Sequence, residues 1–252
     1  MEENIERKGD TGRSGAPKGI LSWLENFWYH YKWHSIVALF LIFTITICSV
    51  QMCSKEQYDV RILYSGQYEI ERTSKNGNFA EYETFISSFK RVAGDYDEDG
   101  KITPALKDLF MLSNEEIEEI QSKDPDVEIN RPLLIENQTI LSESLVLGDY
   151  YICLLSSYVY DEYKEIDGVE MFSPLSAYVK DGTSVEFYTD TAIYLSSTGF
   201  YSLPGICNLP EDTVICLRSI SAIANHFNEK EAKKARERSI DVITNMINYS
   251  AN

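Results

Sequence analysis

The sequence predicts an α/β protein in which one N-terminal transmembrane helix precedes a layered α/β domain with a mostly parallel sheet. Residues 36–50 form an apolar run without a charged side chain near the N-terminus. Beyond this run, short apolar segments typical of buried strands alternate with amphipathic segments typical of helices. The chain length of 252 residues fits one domain with appendages better than two full domains.

The net charge of −17 is placed unevenly along the chain. Residues 1–34 are neutral, with five basic and five acidic side chains, and residues 35–52 carry no charge. The negative charge therefore belongs to the part of the chain that follows the apolar run. A domain of this charge repels phosphate backbones and anionic head groups, so we expect no nucleic-acid partner.

Residues 35–52 are the predicted transmembrane helix, and the lipid bilayer is their predicted partner. With its flanks the apolar run reaches the ~20 residues that a helix needs to cross a hydrocarbon core. The aromatic side chains before the apolar run suit the head-group level of a bilayer, and Lys32 can extend its charged end to the same level. These aromatic residues are Trp23, Phe27, Trp28, Tyr29, Tyr31 and Trp33. The long polar start argues against a cleaved signal peptide, and Ile47 before Cys48 argues against a lipoprotein anchor. We therefore expect an uncleaved signal-anchor.

The orientation of this anchor is not decided by charge, because basic residues flank it on both sides. We expect the N-terminus inside, since a lone N-terminal anchor usually translocates the large domain that follows. The predicted organisation is a cytoplasmic tail with an interfacial aromatic segment (1–34), the transmembrane helix (35–52) and an extracytoplasmic α/β domain (58–252). The predicted location is the cell membrane, with a single pass.

The first elements of the outer domain follow from the spacing of apolar residues. Alternation predicts a strand over 58–64, and a period near four predicts an amphipathic helix over 79–93. A second strand is expected over 102–111, where Pro104 points to an edge position. Ser113 and Glu116 have the spacing of a capping box, which predicts a short helix over 114–122.

The remaining elements alternate between helices and buried strands. We expect a helix over 131–147, which starts near a proline and ends at a glycine. A nearly continuous apolar run predicts a buried strand over 150–155, followed by a short helix over 157–164. Two further buried strands are expected over 192–195 and 214–217, and a final helix over 228–249 starts at an asparagine cap; these complete the predicted domain.

An acidic segment is the one motif with a metal-binding mechanism. Residues 95–102 match the first eight positions of a calcium loop, in which alternate carboxylates and one carbonyl converge on a hard cation. The candidate calcium ligands are Asp95, Asp97, Asp99 and the carbonyl of Lys101. Because Leu106 replaces the usual glutamate at the twelfth position, binding would be weak or would need a distant carboxylate. The alternative is an acidic turn that joins a helix to a strand.

Polar turns after the predicted strands are candidates for ligand binding, since α/β sheets bind ligands beyond the carboxyl ends of their parallel strands. The candidates are Tyr64, Ser65, Gly66, Ser156, Ser157, Ser196 and Ser197. Hydroxyls beside aromatic faces suit a small polar ligand such as a sugar or a peptide. The alternative is that these residues form ordinary strand-ending turns.

Catalytic signatures are weak in this sequence. The outer domain has a single histidine, His226, and the Ser-x-x-Lys match at Ser87 and Lys90 lacks its usual companion motifs. We therefore expect a non-catalytic domain. The cysteines form no disulfide framework. At most Cys207 and Cys216 pair, and the favoured alternative is that both, with Cys153, are free core residues.

The aromatic run at 28–34, the strand at 58–64, the turn at 97–101 and the segment 148–155 resemble those of uncharacterised single-pass membrane-anchored proteins of Gram-positive bacteria. The resemblance covers most of residues 21–220. It implies an extracytoplasmic domain similar to solute-binding proteins, without an activity to carry over. The expected function is a membrane-tethered domain that binds a small polar ligand or an envelope partner protein. The alternatives are an envelope hydrolase with an unrecognised active site and a structural subunit of a membrane complex.

Overall fold

The computed structural model describes the backbone of residues 19–53, 58–72, 80–147, 150–220 and 222–250. Most of the predicted tail, the linker after the anchor and the polar loop at 73–79 lie outside the described residues, as does the side chain of His226. The chain divides into two units, Met1–Glu56 and Gln57–Asn252.

The first unit contains one long helix, α1 (Gly19–Cys53). Its segment Phe27–Ser49 is long and apolar enough to cross a membrane, and none of it is buried. The hydroxyls of Thr44 and Thr46 donate to the carbonyls of Phe40 and Ile42, at 2.9 and 2.7 Å. Because these hydroxyls bond to the helix itself, they are compatible with an apolar environment. An apolar N-terminal helix was predicted, and it is present.

The second unit is a mixed α/β fold. Its strands in chain order are β1 (Val60–Gly66), β2 (Pro104–Phe110), β3 (Ile152–Ser156), β4 (Glu165–Ile166), β5 (Val169–Glu170), β6 (Phe172–Ser173), β7 (Phe187–Thr189), β8 (Ala192–Tyr194) and β9 (Thr213–Arg218). Its helices are α2 (Glu81–Phe89), α3 (Asn114–Lys123), α4 (Arg131–Leu147), α5 (Ser157–Tyr163) and α6 (Ala222–Ile247).

The main sheet has the strand order β2–β1–β3–β9–β8–β7, and β6 also pairs with β9. The strands β2, β1 and β3 are parallel, as predicted. From β3 onwards the neighbouring strands are antiparallel, so the sheet as a whole is mixed. Pro104 begins β2, which is an edge strand, and this agrees with the position that a proline tolerates.

Helices cover both faces of the sheet and create two apolar cores. Ile62 of β1 packs in one core with side chains of α2 and α6, whereas Leu63 packs in the other with side chains of α4 and α5. Successive strand residues point to opposite faces, so neighbouring residues of β1 serve different cores. The second unit is therefore a three-layer α/β/α arrangement.

Local signals predicted most of the helices well. Ser113 Oγ accepts a hydrogen bond from Glu116 N at 3.1 Å, and Glu116 Oε2 accepts one from Ser113 N at 2.6 Å, so the capping box of α3 is complete. The predicted start of the last helix at Asn228 is wrong, since α6 already begins at Ala222. Asparagine is only modestly unfavourable inside a helix, so a cap-like sequence there does not require a helix end.

Candidate functional site

Two segments meet at the amino edge of the parallel strands. Asp59 stands directly before β1, and the acidic loop (residues 95–101) stands before β2. Val60 lies opposite Pro104 in the parallel register, so the chain segments that lead into these two strands are neighbours. The carboxylate of Asp59, at the start of β1, therefore lies beside the acidic loop that leads into β2.

Asp59 is the carboxylate that organises this edge. It is only 3% exposed. Its Oδ1 accepts a hydrogen bond from Tyr96 N at 2.7 Å, and its Oδ2 accepts one from Thr103 N at 2.8 Å and one from Thr103 Oγ1 at 3.2 Å. Because Tyr96 lies near the start of the acidic loop and Thr103 lies just after it, one buried side chain holds the loop from both of its flanks at the start of β1.

Three carboxylates converge at this edge. One oxygen from each of Asp59, Asp95 and Asp97 lies within 4.8 Å of the other two. Asp95 Oδ2 accepts a hydrogen bond from Gly100 N at 2.8 Å, and a φ of +83° at Gly100 makes this turn favourable for glycine. Asp95 Oδ1 is shielded from solvent and has no hydrogen-bond partner among the described residues. A shielded carboxylate oxygen without a donor fits a hard cation such as Ca²⁺.

The converging set shares two members, Asp95 and Asp97, with the predicted ligand set. Asp99 Oδ1 accepts a hydrogen bond from Lys101 N at 2.8 Å, neither Asp99 nor Lys101 belongs to the converging set, and the buried Asp59 completes it. The calcium loop stays a prediction, and Asp59 is the carboxylate from outside the loop that lies nearest to this pair. The only sequence signal for Asp59 was an acidic residue at the start of an apolar strand.

The acidic loop is also held by the last helix. Arg238 Nη2 donates to the carbonyl of Tyr96 at 3.0 Å, and its guanidinium lies 5.6 Å from the Tyr96 ring centroid. The Tyr96 hydroxyl donates to Asp241 of α6. Burial, and then the hydrogen bond to Asp241, raises the pKa of Tyr96 well above its ordinary value. These contacts position the loop from the side opposite Asp59.

The predicted ligand residues lie at the other, carboxyl edge of the sheet. Tyr64–Gly66 ends β1, and Ser156 and Ser157 stand at the end of the neighbouring β3. Both β3 and β8 pair antiparallel with β9, so β8 runs in the same direction as β3 and brings Ser196 and Ser197 to the same edge. The sequence therefore placed these residues on one edge correctly.

Most of the serine hydroxyls at the carboxyl edge make bonds within the protein. Ser156 Oγ accepts from Val159 N at 3.4 Å, Ser157 Oγ donates to Asp212 Oδ2 at 3.0 Å, Ser196 Oγ donates to Glu211 O at 2.9 Å, and Ser197 Oγ donates to Tyr194 O at 2.7 Å. Ser65 Oγ is fully buried and has no hydrogen-bond partner among the described residues. Asp212 was not predicted, because it reaches Ser157 from the turn directly before β9.

A tyrosine network borders the same edge. The Tyr64 hydroxyl accepts a hydrogen bond from Tyr68 N at 3.2 Å, and the Tyr68 hydroxyl donates to Glu81. Burial, followed by this bond to Glu81, raises the pKa of Tyr68 to about 12. Asn208 Nδ2 also donates to Glu81, at 2.5 Å. The network joins the segment after β1 to the start of α2 and to Asn208.

Gly66 permits the close approach of β1 to β3 at this edge. A Cβ at Gly66 would lie 3.0 Å from the Tyr64 hydroxyl and 3.4 Å from Ser156 Cβ. The first distance is tighter than side-chain atoms usually tolerate, so a larger residue would displace the tyrosine ring. The space beside Gly66, between Tyr64 and Ser156, therefore leaves little room for a side chain.

Comparison of the chain with protein-family models, with curated proteins and with solved structures finds no match in any of the three.

Proposed function

We propose that the protein is a membrane-tethered, non-catalytic binding domain on the outer side of the cell membrane. The main support for this proposal is that the chain divides into two units. The exposed apolar helix segment, Phe27–Ser49, belongs to one unit, and the α/β fold forms the other. A helix segment of this length and composition loses contact with water only in a bilayer or against a partner. The bilayer explains the exposed aromatic side chains that precede the apolar run as well.

The proposed topology is a single pass with the N-terminus inside, so that the uncleaved anchor holds the α/β unit at the outer surface. Chemical labelling of Cys207 tests this topology, because Cys207 is exposed whereas Cys153 and Cys216 are buried. A membrane-impermeant maleimide should label intact cells that express the chain with Cys48→Ser and Cys53→Ser, and a further Cys207→Ser should remove that label. Labelling of Cys207 only after the cells are broken open would reverse the topology.

The proposed ligand is a small polar molecule, such as a sugar or a peptide, that binds at the carboxyl edge of the sheet. The neighbouring ends of β1 and β3, the Tyr68–Glu81–Asn208 network and Gly66 support this proposal, and so does the likeness to solute-binding proteins that the sequence implied. The acidic charge of the unit favours neutral or cationic ligands over anionic ones. An envelope partner protein is the second candidate, since the same edge is polar and lies outside the two cores.

Thermal unfolding of the full chain in detergent, with and without sugars and peptides, tests the ligand proposal. A ligand that binds only the folded state raises the melting temperature. Gly66→Val should abolish that rise, because the larger side chain displaces Tyr64, whereas the exposed Ser87→Ala on α2 should retain it. If no compound shifts the melting temperature, the small-ligand proposal fails and a partner protein becomes the better candidate.

The acidic loop is proposed to hold a calcium ion between Asp59, Asp95 and Asp97. The ion would supply positive charge to three carboxylates that otherwise repel one another, and would add a second attachment of the loop to β1. The incomplete ligand set places the affinity in the weak range of extracellular modules, with a Kd of roughly 10⁻⁴–10⁻³ M.

A further inference from the structure

Two buried cysteines lie opposite each other at the centre of the sheet. Cys153 of β3 is the register partner of Cys216 of β9. Both are 0% exposed and belong to the core on the side of α4 and α5, so their side chains project to the same face. Cys207, the other candidate partner of Cys216 in the sequence, is exposed in a loop. The sheet therefore pairs Cys216 with Cys153.

The hydrogen-bond ladder defines the spacing of this pair. Arg218 N donates to the carbonyl of Tyr151 at 2.9 Å, so Tyr151 and Arg218 form a hydrogen-bonded pair of the antiparallel ladder. Such pairs recur every second residue, which makes Cys153 and Cys216 the next hydrogen-bonded pair. Their Cα atoms are then roughly 5.5 Å apart. This value lies within the range of about 4.4–6.8 Å that disulfides span.

We propose that Cys153 and Cys216 form a reversible disulfide between β3 and β9. The two thiols lose two protons and two electrons when the bond between their sulfur atoms forms. A low-molecular-weight disulfide, the proposed oxidant, accepts them as its own S–S bond breaks and is released as two thiols. The reaction proceeds through a mixed disulfide, which the second cysteine resolves.

Geometry makes this disulfide reversible rather than permanent. At a hydrogen-bonded position the Cβ atoms lie roughly 5.5 Å apart, further than the ~4 Å that a relaxed disulfide prefers. The strain favours the reduced state, and strained disulfides have the less negative reduction potentials. Burial raises the pKa of Cys153 to about 12 and also raises the pKa of Cys216. Thiol–disulfide exchange is therefore slow in the folded protein. The bond forms when β3 and β9 are apart, either during folding or while the two strands separate.

The position of the pair connects it to the carboxyl edge. Along β3 the chain continues from Cys153 to Ser156 and Ser157, and along β9 it leads back from Cys216 to Thr213 and Asp212. A covalent bond at this pair restrains the two strands whose ends carry the Ser157–Asp212 contact. Oxidation should therefore slow the separation of β3 from β9 and raise the resistance of the sheet to unfolding.

The test uses the full chain in detergent. The protein is unfolded and refolded with oxidised glutathione or with dithiothreitol, and its free thiols are blocked in denaturant. Peptide mass spectrometry is then expected to find a Cys153–Cys216 cross-link after oxidation, 2 mass units below the summed peptides by the loss of two hydrogens. Cys207→Ala should keep the cross-link, and Cys153→Ala and Cys216→Ala should each abolish it. The midpoint of urea unfolding should be higher for the oxidised protein.

Mass spectrometry of the unmodified protein decides the proposal even if a core variant does not fold. Alkylation of both Cys153 and Cys216 after refolding with oxidised glutathione would overturn it. A cross-link from Cys216 to Cys207 would overturn it equally. A Cys153–Cys216 cross-link that persists when the protein is unfolded and refolded in a glutathione buffer kept mainly reduced would overturn the reversibility of the bond.

Discussion

The two edges of the sheet use polar side chains in opposite ways. At the amino edge, buried Asp59 binds the backbone at both ends of the acidic loop, and one oxygen of Asp95 is left shielded without a donor in the part of the chain that the structure describes. At the carboxyl edge, hydroxyls such as those of Ser157 and Ser196 are taken up by acceptors of the protein itself. A polar group serves an external ligand most readily when no internal partner satisfies it.

This difference assigns separate roles to the edges. The amino edge has the oxygen donors and the electrostatic repulsion that a cation would relieve, so it is the better candidate for a metal. Most serine hydroxyls at the carboxyl edge already make internal bonds, and that of Ser65 is fully buried, so a ligand there would contact the outer atoms of the Tyr68–Glu81–Asn208 network instead of displacing the serines. Substitutions at matched positions on the two edges test these roles.

The largest expected effect comes from removing the aspartates that bind the backbone at each edge. Asp59→Ala should lower the free energy of unfolding by about 3 kcal/mol, because it removes the buried carboxylate that accepts the hydrogen bonds of the Tyr96 and Thr103 amides. Asp212→Ala should cost about 1 kcal/mol, since Asp212 is only partly buried and its hydrogen bonds among the described residues come from Ser157. Urea unfolding followed by circular dichroism measures both. Equal losses would contradict the proposed difference between the edges.

Calcium should have the next largest effect. At roughly ten times the Kd, calcium stabilises a protein that binds it only when folded by about 1.4 kcal/mol. Differential scanning calorimetry should show this rise, and Asp97→Asn should remove it. Asp124→Asn is a matched control, since Asp124 Oδ1 and Asp97 Oδ1 each accept a hydrogen bond from the amide two residues later, at 3.2 Å. An equal rise with magnesium, or a rise that survives Asp97→Asn, would argue against a calcium site.

Two serines at the carboxyl edge should respond differently to the same change. Ser156→Ala removes the side-chain cap of α5 and should cost about 1 kcal/mol. Ser65→Ala removes a buried hydroxyl that has no hydrogen-bond partner among the described residues, so the free energy of unfolding should stay the same or rise. Thermal and urea unfolding compare the two variants. A loss at Ser65 as large as that at Ser156 would indicate that its hydroxyl binds an internal partner.

Sequence patterns predicted the elements that local interactions define. The capping box at Ser113 and Glu116 and the bounds of α4, Arg131–Leu147, follow from residues close together in the chain. The short strands β4 to β7, within residues 165–189, were missed, because strands of two or three residues carry too little periodicity. The antiparallel direction of β9 was also missed, since the direction of a buried strand depends on the path of the preceding loop and not on its own residues.

For the candidate sites too, the sequence indicated the residues that are close together in the chain and missed their partners from distant segments. The turn from Asp95 to Gly100 has a local signature, whereas Asp59 joins it only because β1 and β2 pair side by side. Likewise, the end of β3 was recognised as a polar turn, but the partner of Ser157, Asp212, comes from the turn before β9. Contacts between distant parts of the chain follow from the sheet order, which a single sequence does not reveal.

The smallest expected effect is alkaline destabilisation through a tyrosine–carboxylate contact at each edge, Tyr96–Asp241 and Tyr68–Glu81. The pKa of Tyr68 is raised from 10.0 to about 12 in the folded protein. The unfolded chain therefore loses this proton first. The stabilising contribution of Tyr68 is complete below pH 10 and is lost as the pH rises towards 12.

Tyr68→Phe should therefore reduce the fall in melting temperature between pH 10 and 12 without abolishing it, because the pKa of Tyr96 is raised as well. Tyr96→Phe should act in the same direction. Asn208→Ala removes a donor to Glu81 and a hydrogen bond that lowers the pKa of Tyr68, so it should lower the melting temperature at neutral pH without reducing the alkaline slope. An unchanged slope in both phenylalanine variants would show that neither contact keeps its tyrosine protonated in the folded state.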